Sequence, residues 1–218
     1  MILYGSSLSP YVRKVLAYAA EKGIELELTP TGRGPGQPSD EFLEASPLRK
    51  MPAFRDEEFT LADSSAIIHY LEARFPDPAM IPSDPRMRGK VIWFEEFADT
   101  SLTACSGKMF YNRIVAPRFL GKEGDEEVAK TAEREEMPSL LDYLETVVPP
   151  AGEFLVGNKI TLADIAIASP FANFSHLGCE RDRARHSRVF DYVDAILERQ
   201  SFKTFIEREA ALLARVAA

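Results

Sequence analysis

Four prolines, Pro76, Pro78, Pro82 and Pro85, fall within ten residues of this 218-residue chain. Proline removes a backbone donor and restricts the residue before it, so neither a helix nor a strand runs through such a stretch. The chain therefore reads as two parts. Before the prolines, short apolar runs of strand length alternate with helical patterns; after them, every pattern has helical spacing. The expected organisation is a first domain over 1–76, a linker over 77–85 and an all-helical second domain over 86–218.

In the first part, residues 2–4 predict a short strand. Val12, Val15, Leu16, Ala19 and Ala20 follow at helical spacing and stop before Gly23. Ile24, Leu26 and Leu28 alternate with Glu25 and Glu27, which predicts a second strand and a βαβ unit with a right-handed crossover. A loop rich in Gly and Pro occupies 30–38. Ser39 then caps a short helix to Ala45, with Asp40 and Glu41 in its first turn, and Pro47 ends it. Runs at 53–55 and 59–61 flank the acidic turn 56–58 as an antiparallel hairpin. Asp63-Ser64 opens a helix with Ile67, Ile68, Leu71 and Phe75 on its core face. The order β-α-β-α-β-β-α is that of an α/β thioredoxin-like module. In the second part, helices are expected over 86–119, with a break near 103–107, and over 126–147, 162–175, 189–200 and 202–216.

Composition excludes several functions. A net charge of −8 argues against nucleic acid as the main partner, because phosphate binding needs a concentrated cationic surface. Arg181, Arg183, Arg185 and Arg188 crowd one loop, but Glu180 and Asp182 interleave with them, which predicts a solvated, self-paired turn. Cys105 and Cys179 are far apart and read as free thiols of a reducing compartment. His176-x-x-Cys179 has no further ligands nearby, so no metal is expected. No apolar run reaches the ~18 residues of a membrane span, and no leader pattern is present; the expectation is a cytoplasmic protein without a membrane partner.

The candidate chemistry sits at Ser9-Pro10. Ser9 is a good N-cap and Pro10 suits the first helical position, so the helix start offers backbone N–H groups and roughly half a positive charge. A hydroxyl at that point helps to stabilise a thiolate carried by a ligand. Ser6 and Ser7, in the same loop, are the alternatives to Ser9. Tyr4 shares its strand face with Ile2 and reads as packing. Arg13 and Lys14 read as the solvated face of the helix, and His69 as structural.

Four motifs together resemble the glutathione S-transferase superfamily across essentially the whole chain. Ser9-Pro10-Tyr11 lies where relatives keep a thiol-activating residue. Pro47-Leu48-Arg49-Lys50-Met51-Pro52 is similar to the Asn-Pro-x-Gly-Lys-Val-Pro loop, with Pro52 expected to be cis. Asp63-Ser64 stands at the Glu/Gln-Ser pair. The segment from Leu155 to Ile165, with Thr161-Leu162-Ala163-Asp164, is very like the helical folding motif, in which Thr161 and Asp164 form a capping box stapled by Ile160 and Ile165. Asp63 replaces Glu, Arg49 replaces Gly and Met51 replaces Val.

The resemblance implies a thioredoxin-like domain followed by an all-α domain, glutathione as co-substrate, no metal, and a C2 homodimer. It also implies roles for particular residues. Ser9 is the catalytic hydroxyl, with Ser7 or Ser6 as alternatives. The Met51 backbone pairs with the extended peptide next to Pro52, Lys50 meets a carboxylate, and Asp63 and Ser64 hold the γ-glutamyl end. An apolar electrophile pocket is expected from the helical domain, among Trp93, Phe94, Phe97, Met109, Phe110 and Tyr111, with Tyr11 contributing and Phe110 and Tyr111 singled out. The implied activity is transfer of glutathione to a hydrophobic electrophile. Alternatives are glutathione-dependent isomerisation, dehalogenation or ether cleavage, and a non-catalytic interaction protein of the same fold.

Overall fold

The computed structural model describes residues 1–34 and 36–216, and they divide into two compact units, Met1–Met80 and Ile81–Ala218. In the first, β1 (Ile2–Tyr4) leads to α1 (Pro10–Glu21) and β2 (Glu27–Thr29). A small hairpin of β3 (Gly32–Gly34) and β4 (Gln37–Pro38) precedes α2 (Asp40–Ala45). Strands β5 (Ala53–Asp56) and β6 (Phe59–Ala62) then pair before α3 (Ser64–Arg74). The sheet order is β2-β1-β5-β6, with β1 parallel to β2 and antiparallel to β5. This is the mixed sheet of a thioredoxin-like layer.

Alternation along β1 separates two cores. Tyr4 packs with Phe42, Ala45 and Ala53, and Ile2 and Leu43 join the same cluster beneath α2. Leu3 and Phe54 face the other way and are buried, and Phe54 meets Tyr70 of α3 at 5.6 Å between ring centroids. Glu72 ties α1 to α3: it accepts from the Tyr18 hydroxyl, from Lys22 Nζ at 2.6 Å and from the Met80 N–H at 2.9 Å.

Three expectations are corrected here. The second strand does not begin at Ile24, because that residue closes α1: its N–H donates to Ala19 O at 2.8 Å while Gly23 takes φ +70°, the 6→1 bond of a Schellman ending. The 30–38 loop is not irregular throughout but holds the β3–β4 pair. Arg13 and Lys14 are 0% and 1% exposed, so they are interior groups rather than a solvated face.

The second unit comprises α4 (Pro85–Phe97), α5 (Thr103–Phe110), α6 (Glu126–Thr131), α7 (Met137–Val147), α8 (Leu162–Leu177), α9 (Ser187–Leu197) and α10 (Gln200–Val216). Helix α8 is the hub, buried from Leu162 to Phe174 and packed by α4, α5 and α9. The expected break at 103–107 is absent, since that stretch is α-helical. The irregularity takes another form: π-helical turns at Ala98–Leu102 and Tyr111–Phe119, the latter containing Pro117, and at Ala132–Glu136. A π turn absorbs an extra residue without breaking the helix, so the polar interruption read as a break becomes a change of winding. Among the described residues, no helix is long and apolar enough to cross a membrane.

Candidate active site

Strand register gathers the candidate residues of the first unit. Tyr4 pairs with Ala53, and Ala53 pairs with Ala62. With strands about 4.8 Å apart, the loop leaving β1, the loop entering β5 and the turn leaving β6 all open at one end of the sheet. Ser6, Ser7 and Ser9 belong to the first loop, Lys50, Met51 and Pro52 to the second, Asp63 and Ser64 to the third.

The first loop is drawn tightly onto its neighbours. Gly5 takes φ +157°, and a Cβ there would stand 2.6 Å from Val12 Cγ2 and 3.6 Å from Met51 Cβ, so only glycine lets the β1 exit pass between α1 and the Met51 turn. Ser9 N–H donates to Ser6 O at 3.0 Å and Ser9 O accepts from Arg13 N at 2.9 Å, which makes Ser9 the N-cap by position. Its hydroxyl makes no capping bond, contrary to the expectation. Pro10 has no N–H to offer, and the Ser9 hydroxyl at the half-exposed mouth of the helix is left for other use.

The Met51-Pro52 peptide is cis, as expected. Met51 and Lys50 are exposed and Pro52 is buried. A residue that sequence reasoning missed holds this turn. Ser46, 0% exposed, accepts the Lys50 N–H at 3.1 Å and donates to Lys50 O at 2.7 Å. Arg49 adopts φ +57°, in the left-handed region where the resembling loop has glycine. The only signal for Ser46 was its place directly before Pro47.

Asp63 caps α3, its Oδ1 accepting from Ser65 N at 2.9 Å and Ala66 N at 3.1 Å, with φ +82°. Ser64 is buried at the helix start, where the macrodipole favours an anion. A second missed residue lies beside it: Lys14 Nζ donates to Ser65 Oγ at 3.3 Å, bringing a buried ammonium to the same helix start.

Tyr4 is buried against Phe42, with 6.4 Å between ring centroids, as its packing role requires. Tyr11 is half-buried. His69 is exposed on α3.

In the second unit, Phe110, Met109 and Phe94 are buried, whereas Tyr111 and Trp93 are exposed. Trp93 Nε1 donates to Tyr143 Oη at 3.0 Å, and Phe97 meets the Tyr143 ring edge-on at 5.1 Å. The arginine loop is also corrected. Its pairing is not within the turn: Arg181 reaches Asp194 at 2.6 Å, Arg183 reaches Asp191 at 2.6 Å and also Asp194, and Arg185 reaches Asp142 at 2.6 Å. Arg188 donates to Val148 O at 2.6 Å. The chelate of long side chains onto α7 and α9 pins the loop, which neighbours in sequence cannot do. Burial pushes both thiols, Cys105 and Cys179, up to about 12, so neither is a nucleophile at neutral pH.

The Glutathione S-transferase, N-terminal domain family model matches residues 3–79, and the Glutathione S-transferase, C-terminal domain model matches residues 110–209. The chain is similar to glutathione S-transferase theta-1 of Homo sapiens, with 30% identity over 82% of this chain and 75% of that one. It is 32% identical to a probable maleylacetoacetate isomerase 1 of Drosophila melanogaster, over 79% of this chain and 68% of that one. A solved glutathione S-transferase of Methylobacterium radiotolerans, in complex with glutathione sulfonate, superposes with a TM-score of 0.75 at 26% identity, covering 94% of this chain and 93% of that one.

Proposed function

Since this chain belongs to the glutathione S-transferase superfamily, we propose that it is a transferase in which the Ser9 hydroxyl activates the thiol of bound glutathione. The observation that carries this reading is the convergence of three loops at one end of the sheet, with an uncommitted hydroxyl at the start of α1. Glutathione lies extended along the Met51 backbone beside cis-Pro52, pairing as an added strand does. Lys50 meets a carboxylate. Ser64 and the α3 start take the γ-glutamyl carboxylate, and Asp63 takes the ammonium group. Ser6 and Ser7 are the alternative hydroxyls.

Ser9 donates to the sulfur, the helix start favours negative charge there, and the thiol proton leaves to solvent. The thiolate then attacks an electrophile. Lowering the thiol pKa from ~8.5 to ~6.5 stabilises the anion by about 2.7 kcal/mol and raises its share at neutral pH from a few per cent to about three-quarters. In this reading residues 1–76 bind glutathione, 77–85 link, and 86–218 supply the electrophile pocket, with Phe110 and Tyr111 on its wall. The working protein is a cytoplasmic homodimer.

The deciding experiment is the pH titration of thiolate ultraviolet absorbance for glutathione bound to wild type and to Ser9→Ala. A depressed thiol pKa that returns toward ~8.5 in the variant supports Ser9. A shift that survives assigns the role to Ser6, Ser7 or the backbone, and absence of glutathione binding returns the chain to the interaction-protein reading. A second reading, isomerisation by addition and loss of the same thiolate, is favoured by the likeness to the Drosophila isomerase; it predicts substrate turnover without net glutathione consumption.

A further inference from the structure

The first unit carries eight Lys and Arg side chains, and three of them stand apart from the rest. Arg13, Lys14 and Lys22 are buried, Arg55 is held by Glu44 at 2.5 Å and Arg74 by Asp56 at 2.9 Å. Arg33, Arg49 and Lys50 are exposed, and among the described residues no ion pair or hydrogen bond engages their side chains.

Strand order places these three at one end of the sheet. Tyr4 pairs in parallel with Thr29, so β2 leaves the sheet where β1 does, and β3, which holds Arg33, follows that exit. Arg49 and Lys50 stand on the loop that enters β5 at the same end. The acidic turn of Asp56, Glu57 and Glu58 is at the other end, where Asp56 pairs with Phe59. In a chain of net charge −8, the unpaired cations of this unit are thus gathered beside the candidate thiol site, where they favour an anion.

At Arg49 the backbone works against the side-chain type. Its φ is +57°, a conformation that glycine or asparagine meets at less cost. The turn is held from outside: Arg49 N–H donates to Ser46 O at 2.9 Å, and the Ser46 hydroxyl clamps the Lys50 peptide. Backbone strain that the surroundings hold in this way clusters at ligand clamps.

In the proposed pose of glutathione, Arg33 and Arg49 are left over. The γ-glutamyl carboxylate goes to the start of α3, the ammonium group to Asp63 and the glycyl carboxylate to Lys50, so every charge of the peptide is met without either guanidinium. The peptide runs from α3 past Met51 to Lys50, and its C-terminal residue ends beside Arg49. A guanidinium binds a carboxylate through two parallel N–H donors, which makes arginine the side chain suited to a further carboxylate there.

We propose that Arg33 and Arg49 extend the Lys50 position into a two-carboxylate subsite, and that the thiol co-substrate this chain favours is a γ-glutamyl-cysteinyl peptide ending in a dicarboxylic residue, γ-Glu-Cys-Glu in the simplest case. This rests on the transferase reading above and adds to it a charge requirement at the C-terminal end of the peptide.

The test compares γ-Glu-Cys-Glu with γ-Glu-Cys-Gln, which has the same shape and one carboxylate fewer, as co-substrates for 1-chloro-2,4-dinitrobenzene. The thiolate displaces chloride, and glutathione is run beside the two peptides. On the wild-type chain at low salt, kcat/KM is expected to be at least fivefold higher for the glutamate peptide, and the preference narrows in about 0.5 M KCl because exposed charge pairs are screened. Arg49→Gly, which removes the guanidinium and relieves the backbone, and Arg33→Gln each cut the preference at least twofold, and together they bring it to parity. Parity on the wild type, or full preference in the folded double variant, overturns the proposal while glutathione is still conjugated. Absence of conjugation with all three peptides overturns the transferase reading and this proposal with it.

Discussion

The Tyr192 hydroxyl donates to Asp164 Oδ1 at 2.6 Å, fastening α9 to the first turn of α8 through a carboxylate with no solvent exposure. The same oxygen accepts the Leu155 N–H at 2.8 Å, and Oδ2 accepts from the Thr161 N–H at 2.8 Å and the Thr161 hydroxyl at 3.0 Å. Burial raises the Asp164 carboxyl above its ordinary range, and these four donors oppose that rise. A capping box was legible in the sequence, but a box alone is worth about 1 kcal/mol.

Asp164→Ala should therefore cost well beyond a cap, about 3–5 kcal/mol, because it strands several buried donors at once. Urea unfolding followed by circular dichroism measures it. A loss near 1 kcal/mol would mean that Tyr192 and Leu155 find other partners.

Ser46→Ala removes both hydrogen bonds to the Lys50 peptide and frees the turn before Met51. The expected result is a glutathione KM raised about tenfold, the equivalent of ~1.4 kcal/mol, with kcat little changed. Ser46→Thr, which keeps the hydroxyl, recovers most of the loss. Steady-state kinetics with glutathione varied at fixed electrophile tests it.

Asp142 should contribute to acid sensitivity. Hydrogen bonds from His186 and Arg185 hold its folded carboxyl below the ordinary value, so its contribution is present above the unfolded pKa of ~3.9 and is lost as pH falls through the folded one. Melting temperatures of wild type and Asp142→Asn, compared from pH 6 downward, should converge below about pH 4. A constant difference across that range would show that titration of Asp142 plays no part.

Both thiols are expected to be inert in the native protein. With pKa values near 12, about one molecule in ten thousand carries a thiolate at pH 8. Iodoacetamide should label neither Cys105 nor Cys179 over the hour that suffices for a free cysteine, and both in 6 M guanidinium chloride. Rapid labelling of the native chain at Cys179 would show that the arginine loop opens.

The parts that could be read from the sequence are those set by local chemistry. Proline crowding marks where regular structure stops before α4; Ser39 and Asp63 cap the helices they precede; two short runs around the acidic turn 56–58 identify the β5–β6 hairpin; Thr161 with Asp164 announces the start of α8. Each depends on residues within a few positions of one another, so periodicity and side-chain type suffice.

What only the tertiary structure decided depends on partners far apart in the chain. Lys14 and Arg13 look like surface cations until packing buries them and brings Lys14 to Ser65. Ser46 looks like a loop residue until its hydroxyl closes on Lys50. The arginines of 181–185 look self-paired until α7 and α9 supply Asp142, Asp191 and Asp194. The alignment of Tyr4, Ala53 and Ala62, which brings the three candidate loops together, is a consequence of strand register across fifty residues of chain. Hydrogen-bond ladders and burial choose such partners jointly, and no local pattern carries that information.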